Sequence, residues 1–308
     1  MAIESTPIDE VDEGLAFGTT VPTATTPVEP PQRRRRRRRV SRLALALAAL
    51  FVVAGIFGPM FSGKPSDVDV SARLAAPVGF GGTWEHPLGT DGLGRDMLAS
   101  LFAGARVSLV VGVGAITLAA LIGIPLGLLA GYRGGRADSM VSWLIDFQLG
   151  FPALLFILLI AAYVRAGIFP LIIMLGIVTW MLFARLARSL ALSLRTSDFV
   201  AAAQLAGSGT AKILRRHLLP NMASPLLTLA LLEVATAMLG ESALSYLGYG
   251  IARPRVSWGL MIAEGQQYLR IGWWIMMFPG AMLSIAVLTL YSLARSLRPN
   301  GFVTAPTK

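Results

Sequence analysis

Charge is missing from this chain in long blocks. Leu43–Gly63 holds no Lys, Arg, Asp or Glu over 21 residues, Val107–Tyr132 none over 26, and Phe147–Val164 none over 18. Ala166–Ala184 adds 19 uncharged residues and Ile271–Ala294 adds 24. Asn221–Gly248 is equally apolar but carries Glu233 and Glu241. A helix that crosses a bilayer needs about 20 apolar residues, because the hydrocarbon is about 30 Å thick and a helix rises about 1.5 Å per residue. None of the blocks alternates with the period of two that a membrane β-barrel requires. The pattern predicts an all-α membrane protein with six transmembrane helices. A charged content of 14% against 55% hydrophobic residues agrees, since a soluble chain carries about 25% charge.

The remaining charges set the expected topology. With the N-terminus inside, the segments 1–42, 132–141, 184–220 and the C-terminal tail hold 19 Lys and Arg. The segments 64–106, 164–167 and 249–270 hold 8. The excess of basic residues on the inside predicts a multi-pass plasma membrane protein with both termini cytoplasmic. The net charge of +10 is then mostly a topology signal, not a nucleic-acid signal. The predicted organisation is a disordered tail over 1–42, a first transmembrane helix over 43–63, and an extracytoplasmic segment with an interfacial helix over 64–105. A core of five helices follows over 106–298, with a cytoplasmic loop at 184–220, and then a short tail over 299–308. Because the first apolar run is longer than a signal h-region and about 40 residues precede it, it reads as a retained helix.

Two stretches resemble binding motifs and are discounted. Arg33–Arg39 is an unbroken arginine run directly before the first span, where it suits anionic lipid and orientation better than nucleic acid. Gly58–Lys64 reads GPMFSGK, but Pro65 stands where a P-loop needs Ser or Thr to hold magnesium. With no Cys and only His86 and His217, the chain offers no thiol chemistry and little for a metal site. No residues are expected to be catalytic, no metal site is expected, and no cofactor is expected in this chain.

The 184–220 loop is long and helix-prone, with an Ala-rich stretch at Asp198–Leu205 and a Gly-Ser-Gly break at Gly207–Gly209. Small side chains let another protein approach closely, and Gly207 can adopt a positive φ. The alternative is a membrane-surface connector with Arg215 and Arg216 among the headgroups.

Asp198–Gly207, followed by His217-Leu-Leu-Pro-Asn221, resembles the EAA loop of ABC-importer permeases. Ala202, Ala203, Gly207, Leu219 and Pro220 match that pattern, while Ala201 replaces its Glu. His86–Asp96 (HPLGTDGLGRD), Gly104–Leu109, Gly131–Asp138 with Asp146 and Phe151-Pro152, Glu241–Gly248 and Ser257–Gly259 narrow the resemblance. Together they are similar to the C-type transmembrane subunit of the dipeptide/oligopeptide/nickel permease family over 86–298. Ala294-Arg295 departs from the family's Gly-Asp.

The resemblance implies a type I ABC importer permease fold and a transport subunit, not an enzyme. It implies import of di- or oligopeptides by alternating access. It implies as partners a homologous B-type permease subunit, ABC ATPase subunits that bind ATP and magnesium, and an extracytoplasmic substrate-binding protein. Ala201, Ala202, Ala203, Gly207, Leu219 and Pro220 are the implied coupling residues.

Glu233 and Glu241 are candidates for the translocation path. An ionisable group inside a span is costly and faces the bundle interior or water. Glu233 either lines the path or is hydrogen-bonded to a neighbouring helix, and Glu241 suits a role in fixing the outer gate. A proton-coupled secondary carrier using Glu233 is the competing function, although no internal repeat supports it. Asp96 is expected at the start of the interfacial helix, with Met97, Leu98, Leu101 and Phe102 facing the membrane. Trp258, Trp273 and Trp274 are expected in an interfacial aromatic belt.

Overall fold

The structure is a computed structural model, and it describes residues 42–61, 67–164 and 167–297. The predicted tail, its Arg33–Arg39 run and the 299–308 segment lie outside those residues. The described chain is helical: α1 (Arg42–Phe61), α2 (Met97–Arg133), α3 (Gly135–Leu149), α4 (Ala153–Tyr163), α5 (Ile168–Leu194), α6 (Asp198–Leu205), α7 (Thr210–Ile213), α8 (Leu219–Tyr246), α9 (Trp258–Gly265) and α10 (Trp274–Leu297). No strand occurs among the described residues.

α2 and α5 form the centre of the bundle, and glycine makes their approach possible. A β-carbon on Gly123, Gly127 or Gly131 would stand 2.2, 2.2 and 2.5 Å from the carbonyl oxygens of Trp180, Ala184 and Arg188. On the other side of the seam, a β-carbon on Gly176 would meet Leu118 and the Ala115 oxygen. Glycines four residues apart lie on one helix face, so the two backbones touch along a continuous line. Numbers rise together along both helices (114 beside 172, 123 beside 180, 131 beside 188), so α2 and α5 run parallel.

Parallel helices require the chain between them to return along their length. α3 and α4 make that return. Asp138 pairs with Arg188, and Gln148 donates through Nε2 to the oxygens of Ile177 and Val178 at 2.8 and 3.1 Å, so α3 runs antiparallel to α5. The predicted span at Phe147–Val164 is therefore not one helix. Its first residues close α3, the helix breaks at Gly150–Pro152, and α4 has only 11 residues. Pro152 cannot continue the hydrogen bonding of α3.

Among the described residues, five helices are long and apolar enough to cross a membrane: Arg42–Met60, Met97–Arg133, Ile168–Leu194, Thr210–Tyr246 and Trp274–Leu297. The fourth continues from α7 through a π-turn at Leu214–Leu218 into α8, with Leu219 N–H bonded to Leu214 O. That wider turn lies just before Pro220, where the ring would otherwise meet the carbonyl one turn back.

Two expectations are corrected. α2 runs without interruption from Met97, so among the described residues no separate interfacial helix precedes it, and Met97 and Leu101 are buried in the protein. The expected aromatic belt also fails for two of its three members. Trp258 and Trp274 are buried, with Nε1 donating to Leu101 O and Thr90 O at 3.0 Å each.

The seam makes a test. Gly127→Ala should lower the thermal midpoint of the detergent-purified protein, because over-packing costs about 1–3 kcal/mol. Gly280→Ala, where a β-carbon meets nothing within 4 Å, should leave it unchanged.

Candidate functional site: a docking helix and a buried carboxylate at opposite ends

At one end of the bundle, α5 stops at Arg195 and the chain turns into α6. Val200 and Ala203 are buried against the bundle, and Gln204 Nε2 donates to the Tyr132 hydroxyl at 3.0 Å. The opposite face of α6 is open: Ala201, Ala202 and Ala206 are exposed, and Leu205 is 90% exposed. α6 ends in a Schellman motif, with Ser208 N–H on Ala203 O at 3.0 Å and Gly207 N–H on Gln204 O at 2.9 Å. That motif needs a left-handed residue, and Gly207 has φ +72°.

The six residues assigned to coupling thus divide. Ala201, Ala202 and Gly207 lie on the open side, Ala203 packs inward, and Leu219 and Pro220 begin α8 after the π-turn. Leu205 and Tyr132 were not singled out in the sequence. Leu205, 90% exposed, is with Phe199 one of the exposed large apolar residues on α6, and Tyr132 is the residue that holds Gln204.

At the other end, the turn at 69–96 is fastened by its own polar groups. Asp91 Oδ1 accepts from the Leu93 and Arg95 amides at 2.8 and 2.9 Å. Asp96 caps α2 through the Ala99 amide at 2.8 Å and meets His86 Nδ1 at 2.9 Å. Arg253 chelates Glu264 and approaches Asp91. Asp69 accepts from the Ser71 hydroxyl and amide, which holds its carboxyl below the ordinary value. No group of three or more His, Cys, Asp or Glu suited to a metal occurs among the described residues.

Glu241 is fully buried where α2, α8 and the 248–257 loop meet. Ser245 donates to it at 2.7 Å, Ser108 at 3.1 Å and Ser242 at 3.4 Å, and Ser257 also reaches it. Ser245 Oγ in turn accepts from the Ile251 amide at 3.0 Å, which ties the loop to the same carboxylate. Glu233 is half-buried two turns earlier on α8, and no side chain among the described residues pairs with it. The two glutamates on α8 thus have different surroundings: one enclosed and hydrogen-bonded, the other partly open.

Long apolar helices packed in a bundle, with a short helix laid across one end, define a multi-pass membrane protein. The chain belongs to the family described as binding-protein-dependent transport system inner membrane component, whose model matches residues 123–300. It is a multi-pass membrane protein and a transport component, not itself an enzyme.

The chain is 37% identical over 259 residues to a putative peptide transport system permease protein of Brucella suis, covering 83% of this chain and 85% of that one. It is 35% identical over 257 residues to the dipeptide transport system permease protein DppC of Alkalihalophilus pseudofirmus, covering 83% of each. It is 34% identical over 247 residues to the oligopeptide transport system permease protein OppC of Bacillus subtilis, covering 80% of each. Among solved structures, inward-facing conformations of the MetNI methionine ABC transporter include a chain that matches with TM-score 0.53 and 21% identity. The match covers 66% of this chain and 98% of that one, a likeness of fold.

The carboxylate cluster makes the second test. Ser245→Ala removes a hydrogen-bond partner of the buried Glu241 carboxyl and the acceptor of the Ile251 amide, and should destabilise the protein by about 1–3 kcal/mol. Ser296→Ala, whose hydroxyl bonds only Leu293 O in its own helix, should stay within about 0.5 kcal/mol. Thermal unfolding in detergent compares them.

Proposed function

We propose that this chain is one permease subunit of an ATP-driven importer that carries di- or oligopeptides across the plasma membrane by alternating access. The observation that carries the reading is α6: its inner face is packed on the bundle and its outer face offers Ala201, Ala202 and Leu205 to another protein. The peptide, dipeptide and oligopeptide permeases it resembles over four fifths of its length support the cargo class.

A permease of this kind works with a homologous B-type subunit, with ABC ATPase subunits that bind ATP and magnesium, and with an extracytoplasmic substrate-binding protein. Ala201, Ala202 and Gly207 supply the surface on which the ATPase sits. Ala203 braces that surface from within, and Leu219 and Pro220 carry its motion into α8. ATP binding and loaded binding protein each favour one conformation over another, and that differential binding is the whole source of the alternation. Glu233 faces the path, and Glu241 holds the 248–257 loop as a fixed wall beside it. Both termini are cytoplasmic, as the bias of basic residues supports.

Two tests bear on this reading. In vesicles containing the complete importer, Ala202→Trp should abolish coupling between ATP hydrolysis and peptide uptake while the complex still folds, because Ala202 is exposed. Gly207→Val should do the same by straining the left-handed turn, at roughly 1–2 kcal/mol. Ala201→Ser should be nearly silent. Normal coupling in both of the first two variants would reduce α6 to a connector. For orientation, the chain has no Cys, so single cysteines report cleanly. Cysteine at Thr83 should react with an impermeant reagent from outside and cysteine at Ser208 should not; the reverse would overturn the topology.

A further inference from the structure

The break between α3 and α4 has a charge beside it. Asp146 is exposed, one turn before the break. Along α3 it lies eight residues from Asp138, about 12 Å at the helical rise. Asp138 and Arg188 pair near the α6 end of the bundle, beside Gly131. Gln148, two residues further on, faces Ile177, Val178 and Trp180, the middle turns of α5. Counted from the edge of the 132–141 loop, the carboxylate lies about 7 Å into the hydrocarbon layer, on the side of α6.

No hydrogen bond or ion pair to the Asp146 carboxylate occurs among the described residues. Arg188, whose field reaches it, is held in a two-pronged pair by Asp138. An ionisable side chain at that depth does not face lipid.

The backbone gives the same answer independently. Leu149, Gly150, Phe151 and Pro152 are exposed and non-helical from Gly150 onward. Irregular backbone at membrane depth is tolerated only where protein covers it or water reaches it. Packing is also loose here: the break opens a cavity of about 160 Å³ between Gln148, Phe151, Phe156, Val178 and Met181. On the same exposed face Trp143, Phe147 and Phe151 form an aromatic ladder with ring centroids 5.6 and 5.4 Å apart.

We propose that Asp146 and the broken backbone beside it line the water-filled passage of the assembled importer, where the carboxylate attracts the cationic end of the cargo. A covering protein would have to bring a desolvated cation to Asp146, whereas water requires no such match. The cargo clause rests on the peptide reading above, since a peptide with a free amino terminus carries an ammonium group. Aromatic faces beside the carboxylate suit the same cation.

The experiment uses the complete importer in vesicles and has two arms. Asp146→Cys is exposed to a hydrophilic, positively charged thiol reagent, and the mass of this chain reads modification. Reaction, slowed by saturating peptide with its binding protein, is expected. An assembled complex that does not react overturns the passage. In the second arm, Asp146→Asn should lower uptake of a dipeptide with a free amino terminus roughly tenfold, on the scale of one charge contact in a partly hydrated site. Uptake of the N-acetylated dipeptide should fall much less, and Asp146→Glu should restore the preference. Equal loss for both dipeptides, or failure of Asp146→Asn to assemble, overturns the role in cargo attraction. If the unaltered importer takes up neither dipeptide, the peptide reading fails, while the thiol arm still reports on the passage.

Discussion

The contact between α2 and α5 is the constraint on which the other elements depend. In a membrane there is no hydrophobic force between helices, because lipid tails are as apolar as leucine. Association has to come from close packing and from polar contacts. Gly123, Gly127 and Gly131 supply the first by letting the α5 backbone occupy the space a β-carbon would take. Each glycine hydrogen is then directed at a carbonyl oxygen, a weak contact repeated along the seam. Because the seam is parallel, it forces the return through α3 and α4, and that return is where the helix breaks.

Toward the other end of α2 the packing agent changes from small residues to buried polar ones. Gly104 gives way to Trp258, Ser108 donates to Glu241, and Gly112 lies against Val234 and Met238. A buried carboxylate is tolerated when its oxygens are hydrogen-bonded, and four serines meet that need. Direction is the gain over an apolar filling: hydroxyls from α2, α8 and the 257 region fix those segments at one register. Asp91 and Asp96 do comparable work for the turn that enters α2.

The placement of α6 follows from the same frame. Its inner residues, Val200 and Ala203, join the buried core, and Gln204 bonds Tyr132 in the last turn of α2. On the proposed reading, a load on the exposed face of α6 reaches α2 and α5 at the point where Gly131 and Arg188 touch. Close-packed helices move as units, so such a load shifts the pair instead of deforming it.

Most of the membrane architecture was legible in the sequence, because the cost of placing charge in hydrocarbon is local and each uncharged block reports it directly. The same holds for Gly207, whose positive φ is a property of one turn, and for the α6 helix with its glycine stop. What the sequence left open is which side of each apolar helix meets protein. Lipid and protein interior are equally apolar, so Met97 and Leu101 read as membrane-facing and Trp258 and Trp274 as a belt, yet all four are buried. Phe147–Val164 reads as one span because nothing in its hydropathy marks the break at Gly150–Pro152. Ala203 is indistinguishable from Ala202 until the bundle covers one and leaves the other open. Glu233 and Glu241 are the same residue on the same helix, and only the convergence of Ser108, Ser245 and Ser257 from three segments gives Glu241 its enclosed site. Local chemistry set the spans and turns; the choice of neighbours, which distant residues make jointly, was left to the tertiary structure.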